Sequence, residues 1–241
     1  MNYIIASYYT SGIDPQRGTA WQSNLEAITE WIKSGISLCE KSSDIRLLLT
    51  HDNLTQEMVE AIENPYLDII KVEPCGTYSP NEYRWIIYKN LVENNLESFD
   101  RIFFTDVSDV IIKNNPFTDM KEGVLYIGDE KENWGTGWIQ SRSHHHMQYV
   151  EGYAALFEKE KNSVLLNCGL VGGTVNTILK YLTKVEEIEA LTANKSKDTT
   201  DMITSNYVAK AFFEEVVHGA PVNSVFKAYQ NSREDVWFVH K

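Results

Sequence analysis

The segment RIFFTDVSDVIIKNNPF, residues 101 to 117, carries two acids, Asp106 and Asp109, where an apolar run breaks. Ile102, Phe103 and Phe104 have the composition of a strand buried on both faces. An unpaired carboxylate is costly to bury, so the pair must either reach solvent at the strand end or hold something positive. Ligands of open α/β sheets bind beyond the carboxyl ends of the strands, and two acids across a turn there reach one cation or its bound waters. Such hard oxygen donors suit Mg²⁺ or Mn²⁺, ions that keep some water and take further ligands from substrate phosphates. The plain alternative is a capping aspartate followed by a solvated turn aspartate.

Positioning such a pair requires a sheet, and strand-like runs do alternate with helix-like ones. NYIIASYY (2–9) reads as a strand; Trp21, Leu25, Ile28 and Ile32 recur at helical spacing; IRLLL (45–49) is a second strand. This βαβ order predicts a parallel sheet. A short helix opens at Thr55 with a partial cap, because Met58 stands where a capping box has an acid or Gln. LDIIKVE (67–73) is a third strand, and a helix over 81–94 leads into the acidic strand. Beyond it, GVLYIGDE (123–130) predicts a strand and KENWGTGWIQSRSHHHMQ (131–148) a loop. VLLNCGLVGGT (164–174) predicts a strand running into a glycine turn, with a helix over 175–189. Three successive histidines, His144 to His146, cannot all face one ion in an extended segment, which makes that run a solvated or acceptor-binding loop.

With 241 residues, 43% of them hydrophobic, the chain can bury a substantial core. Its three cysteines, Cys39, Cys75 and Cys168, form neither an even set nor a CxxC pattern, which predicts reduced thiols, no zinc site and a cytoplasmic location. The start, MNYIIASYYTSG, lacks the basic flank of a signal peptide, and no transmembrane segment is expected. A formal charge of −12 with scattered Lys and Arg argues against nucleic acid as a partner. It leaves room for a diphosphate bridged to carboxylates by a divalent cation.

FFTDVSDVIIKNNPF resembles the strand and DxD-type metal motif of GT-A-fold glycosyltransferases. DPQRG, NEYRW, NCGLVGG, DTTDMITSN and VWFVHK extend the resemblance, in order, over most of the chain. It implies a mostly parallel central sheet flanked by helices, forming one GT-A-like domain over 1–241: a nucleotide-sugar-binding half, 1–117, and an acceptor-side half, 118–241. It also implies transfer of a sugar from a nucleoside diphosphate donor, a UDP-sugar by expectation, to a glycan or other hydroxyl acceptor with Mn²⁺ or Mg²⁺ as cofactor. The implied metal ligands are Asp106, Asp109 and His240, with His218 as the substitute histidine. Asp106 is also a candidate donor contact, because two residues separate the acids where the strict motif has one.

DMITSN is similar to the DQxxxN segment of retaining family-eight-type transferases, with Met202 where Gln is usual. Asp201 then becomes the candidate carboxylate at the sugar, as a base or as the stabiliser of an oxocarbenium-like centre. Asn167 would offer its amide to sugar hydroxyls, and Gly172 a close backbone approach; an ordinary strand-to-helix turn is the alternative. Tyr8 and Thr10 end the first strand, where a nucleobase can stack on a tyrosine. Arg17 and Arg84 are the candidate partners of the diphosphate, unless Arg84 instead locks an acid in an ion pair. Two rival classes remain: a HAD-like phosphatase, which requires a second acid two residues after its nucleophile, and a carbohydrate-binding module built on the Trp and Tyr side chains.

Overall fold

The computed structural model describes residues 1–12, 20–76, 78–192 and 200–241. The elements, in chain order, begin with β1 (Asn2–Tyr8), α1 (Glu26–Cys39), β2 (Ile45–His51), α2 (Gln56–Ile62), β3 (Leu67–Lys71), α3 (Pro80–Glu93), β4 (Arg101–Thr105) and β5 (Val110–Ile112). They continue with β6 (Leu125–Asn133), α4 (Gly137–Arg142), α5 (His144–Tyr149), α6 (Tyr153–Glu160), β7 (Val164–Thr174), α7 (Val175–Thr192), α8 (Asp201–Phe212), β8 (Val216–Val217) and β9 (Phe238–His240).

Seven strands form one sheet in the order β3-β2-β1-β4-β7-β6-β8, and β5 and β9 pair as a separate ribbon. Neighbours run parallel at β3-β2, β2-β1, β1-β4 and β6-β8 and antiparallel on both sides of β7. Period-two alternation explains why the central strands are apolar throughout: Ile4, Ala6 and Phe103 pack on one face, while Ile5, Ile102 and Phe104 pack on the other. α1 and the β5–β9 ribbon cover the first face; α3, α7 and α8 cover the second. Because β1, β2 and β4 run in register, their carboxyl ends open onto one edge of the sheet, and Asp106 follows β4 there.

Local signals set several boundaries. Thr55 caps α2, accepting from the Met58 amide at 3.3 Å, so the cap forms without the acid of a full capping box. Ser79 caps α3 with Pro80 in the first turn. Two expectations are corrected. Residues 137–149 fold into the short helices α4 and α5, because Ile139 and His146 are buried and give a weakly amphipathic stretch something to pack on. The glycines of VGGT lie inside β7, which runs straight to Thr174 with no turn at 172–173.

Gly172 stands opposite Phe103 in the antiparallel pair, and a Cβ on it would run into the Phe103 ring. The glycine is therefore required by cross-strand packing. Gly172→Ala should cost about 1–3 kcal/mol through overpacking, read as a lower urea midpoint at unchanged slope; an unchanged midpoint would contradict this role.

Candidate active site

Tyr88 of α3 stacks flat on Phe104, with ring centroids 4.1 Å apart, and fixes the helix against β4. Arg84 lies one turn earlier on the same face, and so meets the residue just past the strand end. Its Nη1 donates to Asp106 Oδ1 at 2.5 Å; its Nη2 donates to Asp201 Oδ2 at 3.0 Å and lies 3.4 Å from Cys168 Sγ. Both terminal nitrogens of this buried side chain are engaged, so Arg84 takes the ion-pair role that the sequence left open. Burial disfavours charge on Asp106, but the guanidinium outweighs it and holds that carboxyl well below the usual carboxylate range.

The third member arrives from the C-terminal strand. β9 pairs antiparallel with β5, setting His240 opposite Val110, and the Lys241 amide donates to Asp109 O at 2.8 Å. The His240 amide donates to Ser224 Oγ at 3.1 Å, and Phe226 packs on the imidazole at 4.5 Å between centroids. Held in this way, His240 is 1% exposed. Its Nε2 lies 3.7 Å from both Asp106 Oδ2 and Asp109 Oδ2, too long for hydrogen bonds. Burial pushes the imidazole pKa down, yet the two carboxylates prevail and hold it up to about 9.

Ligand atoms of Asp106, Asp109 and His240 lie within 4.8 Å of one another. His240 Nδ1 and Nε2 and Asp109 Oδ1 are buried without a hydrogen-bond partner, a state that calls for an explanation in a folded protein. Gly169 makes room for the group, since a Cβ there would come within 2.8 Å of His240 Cε1 and collide with the Asp106 carboxylate. Two carboxylates, Asp106 and Asp201, engage one guanidinium at this strand end, and Asp109 adds a third negative charge that the guanidinium does not pair. The excess negative charge, the oxygen-and-imidazole donor set and the orphaned atoms all fit a divalent cation.

Beside the triad, Asn167 Oδ1 accepts from the Gly169 amide at 2.8 Å and its Nδ2 donates to Glu130 Oε1 at 3.0 Å. Burial raises the Glu130 carboxyl above its ordinary value. Asp201 is buried behind Arg84 at 5% exposure, engaged by Arg84 and, at 3.4 Å, by the Cys168 thiol. Asn206, from the same DMITSN segment, clamps the backbone of Leu166, receiving its N–H at 2.9 Å and donating to its C=O at 2.8 Å. Met202, which stands in place of the usual Gln, sets its sulfur 3.4 Å from the Cys168 amide. The segment thus holds β7 in place beneath the site.

Arg84, Asp106, Asp109, Asp201 and His240 come together, with Asn167 adjoining. Tyr8 and Thr10 belong to a separate buried network: the Tyr8 hydroxyl donates to Asn24 O at 3.0 Å, and Thr10 Oγ1 lies 2.6 Å from Ser23 Oγ. Gly172 packs in the core, and the close approach at the triad is made by Gly169. His218 sits 3.0 Å from Asp129 Oδ2, outside the triad. Arg17 lies outside the described residues. Glu130 and Gly169 escaped the sequence reading, which took Cys168 only as a reduced thiol; the acid closing the strand expected over 123–130 was the available signal for Glu130.

This sheet order, with an acid-bearing strand end, defines a GT-A-like fold. The chain is similar in structure to the galactosyltransferase LgtC in complex with donor and acceptor sugar analogues, with a TM-score of 0.56 and 11% identity over 99% of this chain and 86% of that one. An active-site mutant of LgtC matches over the same shares at a TM-score of 0.56 and 12% identity. At such identity the likeness is one of fold. No protein-family model and no curated protein matches the sequence.

In the metal-free protein the His240 imidazole should titrate near 9 by NMR and shift down in Asp109→Asn. The folded value lies above the ordinary 6.5, so the stabilisation is fully present below that value and is lost as pH rises through about 9. A His240 titration at the ordinary value would contradict the geometry.

Proposed function

We propose that the chain is a metal-dependent glycosyltransferase that moves a sugar from a nucleoside diphosphate donor, a UDP-sugar as the first candidate, to a carbohydrate hydroxyl. The observation that carries this reading is the orphaned Asp106–Asp109–His240 group at the ligand edge of a GT-A-like sheet. On this reading residues 1–117 supply most of the donor side, and residues 118–241 complete the site as part of the same domain. The chain would act as a soluble enzyme of the cytoplasm; no helix among the described residues is long and apolar enough to cross a membrane.

Asp109 and His240 would hold Mn²⁺ or Mg²⁺, and Asp106 would share its carboxylate between the ion and Arg84. When bound, the ion supplies charge neutralisation for the diphosphate leaving group. Arg84 fixes the orientation of Asp106, and Asp201 keeps Arg84 in place from behind. Asn167, oriented by Gly169 and Glu130, presents its amide to sugar hydroxyls. We assign the sugar-facing carboxylate to Glu130 rather than to Asp201, because Asp201 is enclosed with Arg84 and Cys168, whereas Glu130 uses one oxygen on Asn167. With its pKa raised by burial, Glu130 is suited to take the proton of the acceptor hydroxyl. Tyr8, Thr10 and Arg17 remain our candidates for the nucleoside and diphosphate end.

Calorimetry with nucleoside diphosphates and Mn²⁺ tests the reading. Wild type should bind at least one of them only when the metal is present, and Asp109→Ala should abolish that binding without unfolding the protein. Affinity that persists unchanged in Asp109→Ala would contradict the metal site. Glu130→Gln should lower turnover by about 10²–10⁴-fold with donor affinity retained; wild-type turnover would remove it from the chemistry. Arg84→Ala should cost about 3–5 kcal/mol by leaving buried carboxylates uncompensated, a loss visible in chemical denaturation.

A further inference from the structure

Just past Glu130, the end of β6 and α4 border an open cleft of about 680 Å³, within the roughly 300–1,000 Å³ range of small-molecule sites. Its lining is polar, including Glu132, Asn133, Gln140, Lys161 and Asn162. Asn133, Gln140 and Asn162 make no side-chain hydrogen bonds to other described residues, so three amides are available, each offering a donor and an acceptor together. That pairing matches hydroxyl groups, which also donate and accept. Beside the cleft stands Trp138, 36% exposed, its indole N–H held by Glu132 Oε2 at 2.9 Å. The Arg142 guanidinium lies over the indole ring at 5.8 Å from its centroid, so the ring can offer its opposite face to the C–H side of a sugar ring while its polar edge stays satisfied. The floor is set by Gly135, whose amide donates to Lys161 O at 2.7 Å and whose missing Cβ leaves room for that approach.

We propose that this cleft, with Glu132, Asn133, Gln140 and Asn162 on its walls and Trp138 at its rim, is a carbohydrate subsite for a sugar unit of the acceptor distant from the reacting hydroxyl. The acceptor is then an oligosaccharide or longer glycan rather than a single sugar. Calling that sugar an acceptor rests on the transferase reading above; the sugar-binding chemistry of the cleft does not. Position supports the link, because Glu132 follows Glu130 by two residues along β6 and its charge is felt at Glu130. Mixed charge from Lys131, Glu132 and Lys161 favours a neutral, hydroxylated ligand over a polyanion.

A printed array of neutral and acidic oligosaccharides, probed with the labelled full chain, is the test. Wild type should bind a subset of neutral oligosaccharides, and Trp138→Ala and Gln140→Ala should each weaken that binding by about tenfold or more. Both variants should keep the melting temperature and the Mn²⁺-dependent nucleoside diphosphate affinity of wild type. Absence of oligosaccharide binding by wild type, or equal binding by both variants, overturns the subsite. Oligosaccharide binding that depends on Trp138, in a chain with no nucleotide affinity, would support the subsite and overturn the transferase reading instead.

Discussion

Arg84 is a buried cation, and much of the site is arranged around the cost of keeping it there. A guanidinium removed from water needs carboxylates at hydrogen-bonding distance, and it has two, Asp106 after β4 and Asp201 at the start of α8. One side chain of α3 therefore ties together elements far apart in sequence. The pair with Asp106 also keeps that carboxylate ionised, so the strand end presents negative charge to the ligand edge. Tyr88 on Phe104 and the Ser79 cap place Arg84 on the helix face that can reach both acids.

The same constraint separates the acids by role. Asp201 faces the guanidinium and the Cys168 thiol, while Asp106 and Asp109 face His240. What brings His240 there is the β5–β9 ribbon, whose first strand begins one residue after Asp109. The strand that carries His240 is held by backbone pairing, by Ser224 and by Phe226. Gly169 completes the arrangement by leaving the space that any side chain would fill.

The apolar runs of β1, β2 and β4 were legible because strands buried on both faces need unbroken hydrophobic sequence. The acids after β4 were legible because they interrupt such a run. His240 was put ahead of His218 by the resemblance alone; the residues themselves could not place it beside the acids, since that depends on a pairing between positions about 130 apart in the chain. α4 and α5 were missed because each is only six residues long and carries too few apolar positions to show a period. The glycines of NCGLVGG are alike in sequence; cross-strand partners alone distinguish Gly172, which faces Phe103, from Gly169, which faces Asp106 and His240. The burial of Arg84, and with it the enclosure of Asp201 by Arg84 and Cys168, was likewise invisible until α3, β4 and α8 were seen together.

The central claim is that Asp106, Asp109 and His240 form one metal centre serving a diphosphate. Crystals grown with Mn²⁺ and the nucleoside diphosphate that binds in solution, measured at the manganese absorption edge, test it directly. The account predicts a single strong anomalous peak in contact with Asp109 and His240, with diphosphate oxygens completing its shell. A peak elsewhere on the chain, or an ordered diphosphate at this strand end with no metal beside His240, would contradict it.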